Sequence, residues 1–407
     1  MLTRDEMMTL FKTGIAAAEP RAAVRESLRE MPVAFDGRLF VIALGKAACA
    51  MAEAALDMVP APARALVVTN YENAAPVAGA EIIAAGHPVP DENGLRAAAL
   101  VEEALAEAGA QDHVLVLVSG GGSALLPAPV EGLSLAEKAE VNRILLAGGM
   151  DIVAMNAVRQ HLSRLKGGGL LQAAYPARVT ALILSDVIGD DLRAIASGPT
   201  VAPIAPRPHV VEMLRASGMW TRLPEGAQRA LLRAEEDLPA RGADNRLIGS
   251  NRQSLEAMAR EMPQAEIAAH PLIGDVEEAA QVILRAVEAG TPLMLYGGET
   301  TVTLCGDGRG GRNQELALRV AMALEGRTGW RFLSGGTDGR DGPTDAAGAI
   351  VDGESVARIR AAGGDPAALL ANNDSYRALQ LAGDLLITGA TGTNVADLQI
   401  LSLEPSG

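Results

Sequence analysis

The chain has 407 residues, 49% hydrophobic, 21% charged and only 2% aromatic, with a formal net charge of −15. That length suits two domains, and the apolar content supports a packed core and excludes a disordered chain. The acidic balance argues against nucleic acid and anionic membrane as partners, so any anionic ligand needs a local basic pocket. The two cysteines, Cys49 and Cys305, leave no disulfide framework and no cysteine-rich zinc site. The first residues carry no basic-then-apolar leader and no apolar run is long enough to span a bilayer, so a cytoplasmic location is expected.

In chain order, residues 39–44 read as a strand and about 46–58 as a helix. Strands follow at 65–69 and 81–85, then a helix over about 94–108. Residues 114–118 are all Val or Leu, the pattern of a strand buried on both faces. Ser134-x-x-Glu137 is a capping box opening a helix in which Lys138 reads as solvated. A further helix is expected over about 151–165 and a strand over 179–185. This alternation predicts an α/β fold with a Rossmann-like, doubly wound parallel sheet. Residues 223–245 read as polar and helical, and 246–250 as a strand able to return to that sheet. From about 291 the texture changes: short strands at 293–296, 302–305 and 331–334 alternate with Gly/Asp/Thr loops, around a helix at 315–324. The expected domains are 1–240, with 241–290 as a candidate completion, and a smaller C-terminal α/β domain over 291–407.

Ligands in open α/β sheets bind at the carboxyl ends of strands. The foremost such loop is Ser119-Gly120-Gly121-Gly122-Ser123, whose exposed backbone N–H groups suit a phosphate or carboxylate. The same run also suits a tight turn. Lysine is rare (Lys12, Lys46, Lys138 and Lys166), and Lys46 and Lys166 both lie beside glycine. Asn156, Arg159, Ser163 and Lys166 fall on one face of the expected 151–165 helix, either as a solvated stripe or as a cleft lining. Asp186 and Asp190 follow a buried strand and are candidate Mg²⁺ ligands, although Asp also forms turns there. The second domain adds Gly310-Gly-Arg312-Asn313-Gln-Glu315 and Ser334-Gly-Gly-Thr337-Asp338. The Walker pattern and the G-x-S-x-G elbow are absent. Gly306-Asp-Gly-Arg-Gly-Gly311 does match G-x-G-x-x-G, although Asp307-Gly308 is equally a hairpin signal.

Taken together, His87-Pro-Val-Pro-Asp91, Ser119-Gly-Gly-Gly-Ser-Ala-Leu125, His161-Leu-Ser-x-Leu-Lys-Gly-Gly168, Ser185-Asp-Val-Ile-Gly-Asp-Asp191, Ile195-Ala-Ser-Gly-Pro-Thr200, Gly310-Gly-Arg-Asn-Gln-Glu315, Asp341-Gly-Pro-Thr-Asp-Ala-Ala-Gly348 and Thr391-Gly-Thr-Asn394 resemble the type II glycerate kinases, with a DUF4147-type N-terminal and a MOFRL-type C-terminal domain. Ala390 stands where that family often has Pro, and Ala396 where it often has Asn. The resemblance implies ATP-dependent, Mg²⁺-assisted phosphorylation of D-glycerate to 2-phosphoglycerate, in a cleft between two α/β domains. It makes Lys46 and Arg312 the essential pair, and leaves a homodimer open. Relatives are often labelled hydroxypyruvate reductases, which keeps an NAD(P)H-dependent reductase as the alternative. The residue chemistry agrees with phosphoryl transfer, which needs positioning and charge neutralisation more than covalent work. Candidate phosphate- or substrate-binding residues are Ser119–Ser123, Asn156, Arg159, Lys166, Asn313, Glu315, Thr337 and Asp338.

Overall fold

The computed structural model describes residues 1–234 and 242–404, so part of the polar stretch 223–245 lies outside the described residues. It forms two compact units, Pro20–Ile248 and a second that joins Met1–Glu19 to Gly249–Gly407.

The first helix, α1 (Arg4–Ala16), opens with a capping box between Thr3 and Glu6 and belongs to the second unit. The first unit starts with α2 (Pro20–Glu30). It continues through β1 (Leu39–Leu44), α3 (Ala48–Leu56), β2 (Arg64–Asn70), β3 (Glu81–Ala85), α4 (Glu92–Ala106) and β4 (His113–Val118). Then come the single turn α5 (Gly122–Leu125), α6 (Leu135–Ala147), α7 (Ile152–His161), α8 (Gly169–Ala173), β5 (Arg178–Leu184), α9 (Arg207–Ala216), α10 (Glu225–Leu231) and β6 (Asp244–Gly249). The sheet order is β3-β2-β1-β4-β5-β6, with β1 to β5 parallel in register. Every residue of β1 and β4 is buried, as their unbroken apolar runs require. The core on one face joins these strands to α4 and α8. A separate apolar cluster holds α6, α7, α9 and α10 together.

The second unit contains α11 (Asn251–Glu261), β7 (Glu266–Ile267), β8 (Leu272–Asp275), α12 (Val276–Ala289), β9 (Leu293–Thr301), α13 (Arg312–Ala323), β10 (Trp330–Gly336), β11 (Gly348–Asp352), β12 (Leu385–Leu386) and β13 (Asp397–Leu403), with three short helices between β11 and β12. Its sheet runs β12-β11-β10-β13-β9-β7, with β8 also on β9. The long strands pair antiparallel, while β7 and β8 run parallel to β9.

Three expectations change. The second unit begins at Gly249 and not at 291, and it recruits the first 19 residues. The reason is burial: Met7, Leu10 and Phe11 of α1, with Leu255 and Met258 of α11, cover one face of the second sheet, while α12 and α13 cover the other. Of residues 241–290, only the β6 segment completes the first sheet. Residues 302–305 form no strand; β9 instead runs unbroken from Leu293 to Thr301. The helix expected over 151–165 stops at His161, because the chain turns to meet residues 128–130: Arg164 N–H donates to Ala128 O (2.9 Å) and Pro129 bridges Ser163. Among the described residues no helix is long and apolar enough to cross a membrane.

Candidate active site

The strand order of the first sheet reverses direction at β1, whose neighbours are β2 and β4. Crevices at such switch points are the ligand sites of doubly wound sheets. Here the loops that leave β1 and β4 are laced together. Ser119 N–H donates to Leu44 O (2.9 Å), Lys46 N–H to Gly120 O (2.8 Å), and Ala47 N–H to Ser119 Oγ (3.1 Å). Gly45 has φ +118, and a Cβ there would overlap Ser119 Oγ, so only glycine permits this crossing. Asp186, after β5, packs so closely on Gly120 that any side chain at 120 would strike its carboxylate. A Cβ on Gly121 would lie 3.2 Å from the His87 imidazole and from Lys46 Cγ. Residues following β1, β3, β4 and β5 therefore meet at one place.

Lys46 is exposed there, and its ammonium makes no ion pair or hydrogen bond among the described residues. Burial, with Lys46 nearby, pushes the His87 imidazole below its ordinary range. Ser119–Gly121 is followed only by the one-turn α5, so backbone donors and not a helix dipole make this loop attractive to an anion.

Deeper in the same unit lies a group of cations. Lys166 Nζ donates to Ser123 O (2.6 Å) and to Ser123 Oγ (3.1 Å), and Ser123 Oγ meets Ser197 Oγ at 2.8 Å. Lys138, expected to be solvated, is 4% exposed and donates to the Pro127 and Leu162 carbonyls. Arg159 is half-buried; its Nη1 reaches Asn156 Oδ1 at 3.4 Å and its buried Nε has no partner among the described residues. Burial lowers Lys166 well below its usual value and Lys138 to about 7, with neighbouring cations adding to both shifts. Asn156 and Arg159 share α7, whereas Ser163 and Lys166 lie beyond its end, so the expected four-residue helical face is not formed. Lys166 reaches the glycine-rich loop all the same.

Asp186 and Asp190 both lie in the loop after β5. Asp190 takes a left-handed backbone (φ 54), and its buried Oδ1 has no partner among the described residues.

In the second unit Arg312 is the first residue of α13. Its Nε donates to Asp397 Oδ2 (2.6 Å) and its Nη2 to Asp397 Oδ1 (3.0 Å), while Nη1 lies 2.9 Å from Glu299 Oε1. Burial alone would lower the Arg312 pKa, but Asp397, Glu299 and Asp341 outweigh it and hold the guanidinium charged. Asp341 caps α13, accepting from Asn313 N–H (3.1 Å) and Gln314 N–H (2.8 Å); burial raises its carboxyl to about 7 against those bonds. Asn313 accepts from Ser334 Oγ (2.6 Å). Glu315 is buried and accepts from Arg319 (3.0 Å) and Asn373 (3.1 Å). The Thr337 hydroxyl is engaged with Ala396 O (2.6 Å) and Val395 N–H (2.9 Å). These three side chains brace the site. Asp338 is exposed and accepts from Arg340 N–H (3.0 Å).

The G-x-G-x-x-G run at 306–311 forms neither a hairpin nor a pyrophosphate cradle. Gly306, Gly308 and Gly310 pack on residues 372–375, and Asp341 already occupies the α13 N–H groups a pyrophosphate would need. Sequence reasoning missed His87, Lys138, Asp341, Asp397 and Glu299 as site residues. Lys138 had a signal, since it shares an apolar stripe with Val141 and Leu145. Asp397 had none, because it is 85 residues from Arg312 in the chain.

Residues 6–232 match the family described as Domain of unknown function (DUF4147), and residues 292–397 match the MOFRL family. The chain is 42% identical to the D-glycerate 2-kinase of Thermotoga maritima, covering 96% of each sequence. It is 41% identical to a putative hydroxypyruvate reductase of Agrobacterium vitis, covering 98% of this chain and 94% of that one. The crystal structure of a glycerate kinase from Thermotoga maritima superposes with a TM-score of 0.90 at 40% identity, over 98% of both chains. With that identity and coverage, the chain belongs to the type II glycerate kinase family, built of DUF4147 and MOFRL parts.

Proposed function

We propose that the protein phosphorylates D-glycerate with ATP, giving 2-phospho-D-glycerate and ADP. Near-full-length similarity to a D-glycerate 2-kinase carries this reading. The 2-hydroxyl oxygen attacks the γ-phosphorus, the bond to the β–γ bridging oxygen breaks, and the hydroxyl proton passes to a carboxylate or to solvent. The exposed Lys46 ammonium, unpaired among the described residues, neutralises charge on the transferring group, and the backbone donors of Gly120 and Gly121 hold anionic oxygens. Arg312, aligned by Asp397, offers the second cation. Arg159 adds positive charge to this part of the unit, while Asn156 and Lys166 offer hydrogen-bonding groups, Lys166 directly at Ser123.

Mg²⁺ bound mainly through phosphate oxygens needs only one or two carboxylates. Asp186 and Asp190 fit that requirement, because Asp190 keeps a buried oxygen without a partner among the described residues and Asp186 sits against the glycine loop. When bound, the ion neutralises phosphate charge.

The reductase label of some relatives finds no dinucleotide cradle in the 306–311 loop. Two assays separate the readings: ADP release with D-glycerate and Mg-ATP, and nicotinamide absorbance with hydroxypyruvate. Nicotinamide oxidation without ADP formation overturns the kinase reading. Coupling the product to enolase with and without a mutase identifies the phosphorylated carbon.

A further inference from the structure

The first unit holds a cavity of about 720 Å³, well apart from the loops around Lys46. It runs along α8 past the first residues of β4, β5 and β6, at the amino ends of these strands. Val33, Leu171 and Val179 give it apolar walls, and His113 and Arg178 add polar groups. Its size falls within the usual range for small-molecule sites, about 300–1,000 Å³.

Two observations point to a ligand. His113 is 5% exposed, and only its Nε2 is engaged, at 3.0 Å from Thr180 Oγ1; Nδ1 is buried without a partner among the described residues. Buried polar groups are normally satisfied, so this lining residue carries an unmet contact beside the cavity. Arg178 is exposed, and its guanidinium makes no hydrogen bond or ion pair among the described residues. Arg246, also on the wall, is already paired with Asp244. An apolar chamber with one unspent guanidinium suits an apolar body that ends in a carboxylate.

The cavity also touches the bracing of the glycine loop. Gly167 and Gly168 line it, and their N–H groups donate to Ser197 O (3.0 Å) and Gly198 O (2.8 Å). Ser197 then meets Ser123 through the 2.8 Å hydroxyl contact, and Lys166, next to Gly167, holds the Ser123 carbonyl at 2.6 Å. Ala196 and Ser197 carry left-handed backbones (φ 49 and 62), a strained turn that depends on this bracing. We propose that the cavity is a regulatory site for a small amphipathic carboxylic acid, whose occupancy acts through Gly167–Gly168 on the Ser123 end of the glycine loop. Binding is independent of the kinase reading; the effect on turnover rests on it.

The test uses decanoate below its micelle concentration, titrated calorimetrically into the full chain with excess ADP. Saturable binding to a single site is expected in the wild type. Leu171→Trp, which narrows the chamber beside α8, and Arg178→Glu, at an exposed position, each weaken binding by about tenfold or more, whereas Arg178→Lys keeps it within about threefold. In the ADP-release assay, decanoate shifts a wild-type KM by about twofold or more and leaves the Leu171→Trp value unchanged. Absence of saturable binding, or undiminished binding in both weakened variants, overturns the site. Binding without a kinetic change overturns the coupling. Absence of ADP release with D-glycerate overturns the kinase reading and leaves the calorimetric result standing.

Discussion

At the residue scale, Lys46 and Arg312 differ in how far their charges are already committed. Lys46 is exposed and unpaired among the described residues, so Lys46→Ala should lower kcat by about 10²–10³-fold with little change in Tm. Arg312 is different, because it neutralises Asp397, which is 0% exposed. Arg312→Ala leaves that carboxylate buried and uncompensated, so it should cost about 3 kcal/mol of stability as well as activity. In the double variant Arg312→Ala/Asp397→Asn, denaturant melts should recover most of the stability while turnover stays low. Recovery of turnover would remove Arg312 from the chemistry. Ala396 adopts φ 64 where the family often has Asn, a residue that tolerates that conformation. Ala396→Gly should raise stability by about 0.5–1 kcal/mol, read as a Tm increase; an unchanged or lower Tm would show that the site carries no strain. The family comparison of single residues was legible in the sequence, but the strain at 396 became visible only as a backbone angle.

At the element scale, α13 presents Arg312 because Asp341 caps its first turn. Asp341→Ala should cost about 1–2 kcal/mol and lower kcat, because the helix end that positions Arg312 frays. Normal kcat at a reduced Tm would show that the cap serves stability alone. Strands β1 and β4 and the α6 capping box follow directly from apolar runs and a four-residue pattern. The early end of α7 does not. Its periodicity continues past His161, but the backbone of Ser163 and Arg164 finds partners in residues 128–130 instead. A local pattern carries no information about a competing partner more than thirty residues away.

At the scale of the whole molecule, the buried cations set a pH dependence of stability. Burial lowers Lys138 to about 7, whereas an unfolded lysine titrates near 10.4. Between those values the unfolded chain holds a proton that the folded chain lacks, so this residue makes stability rise with pH across that window. Lys138→Met should remove a slope of about 1.4 kcal/mol per pH unit. In urea melts between pH 7 and 10 the stability of the wild type relative to the variant should therefore increase as pH rises; parallel curves would show that Lys138 titrates normally.

The sequence alone determined the strand–helix alternation of the first unit, the glycine loop after β4 and the family, because contiguous apolar runs and short motifs encode them locally; the strand order came from the tertiary structure. Tertiary structure alone decided that α1 joins the second unit, that Lys138 is buried, and that Asp397 and Glu299 hold Arg312. Each of these depends on burial against residues distant in the chain, and no window of neighbouring residues records which distant surfaces will exclude water together.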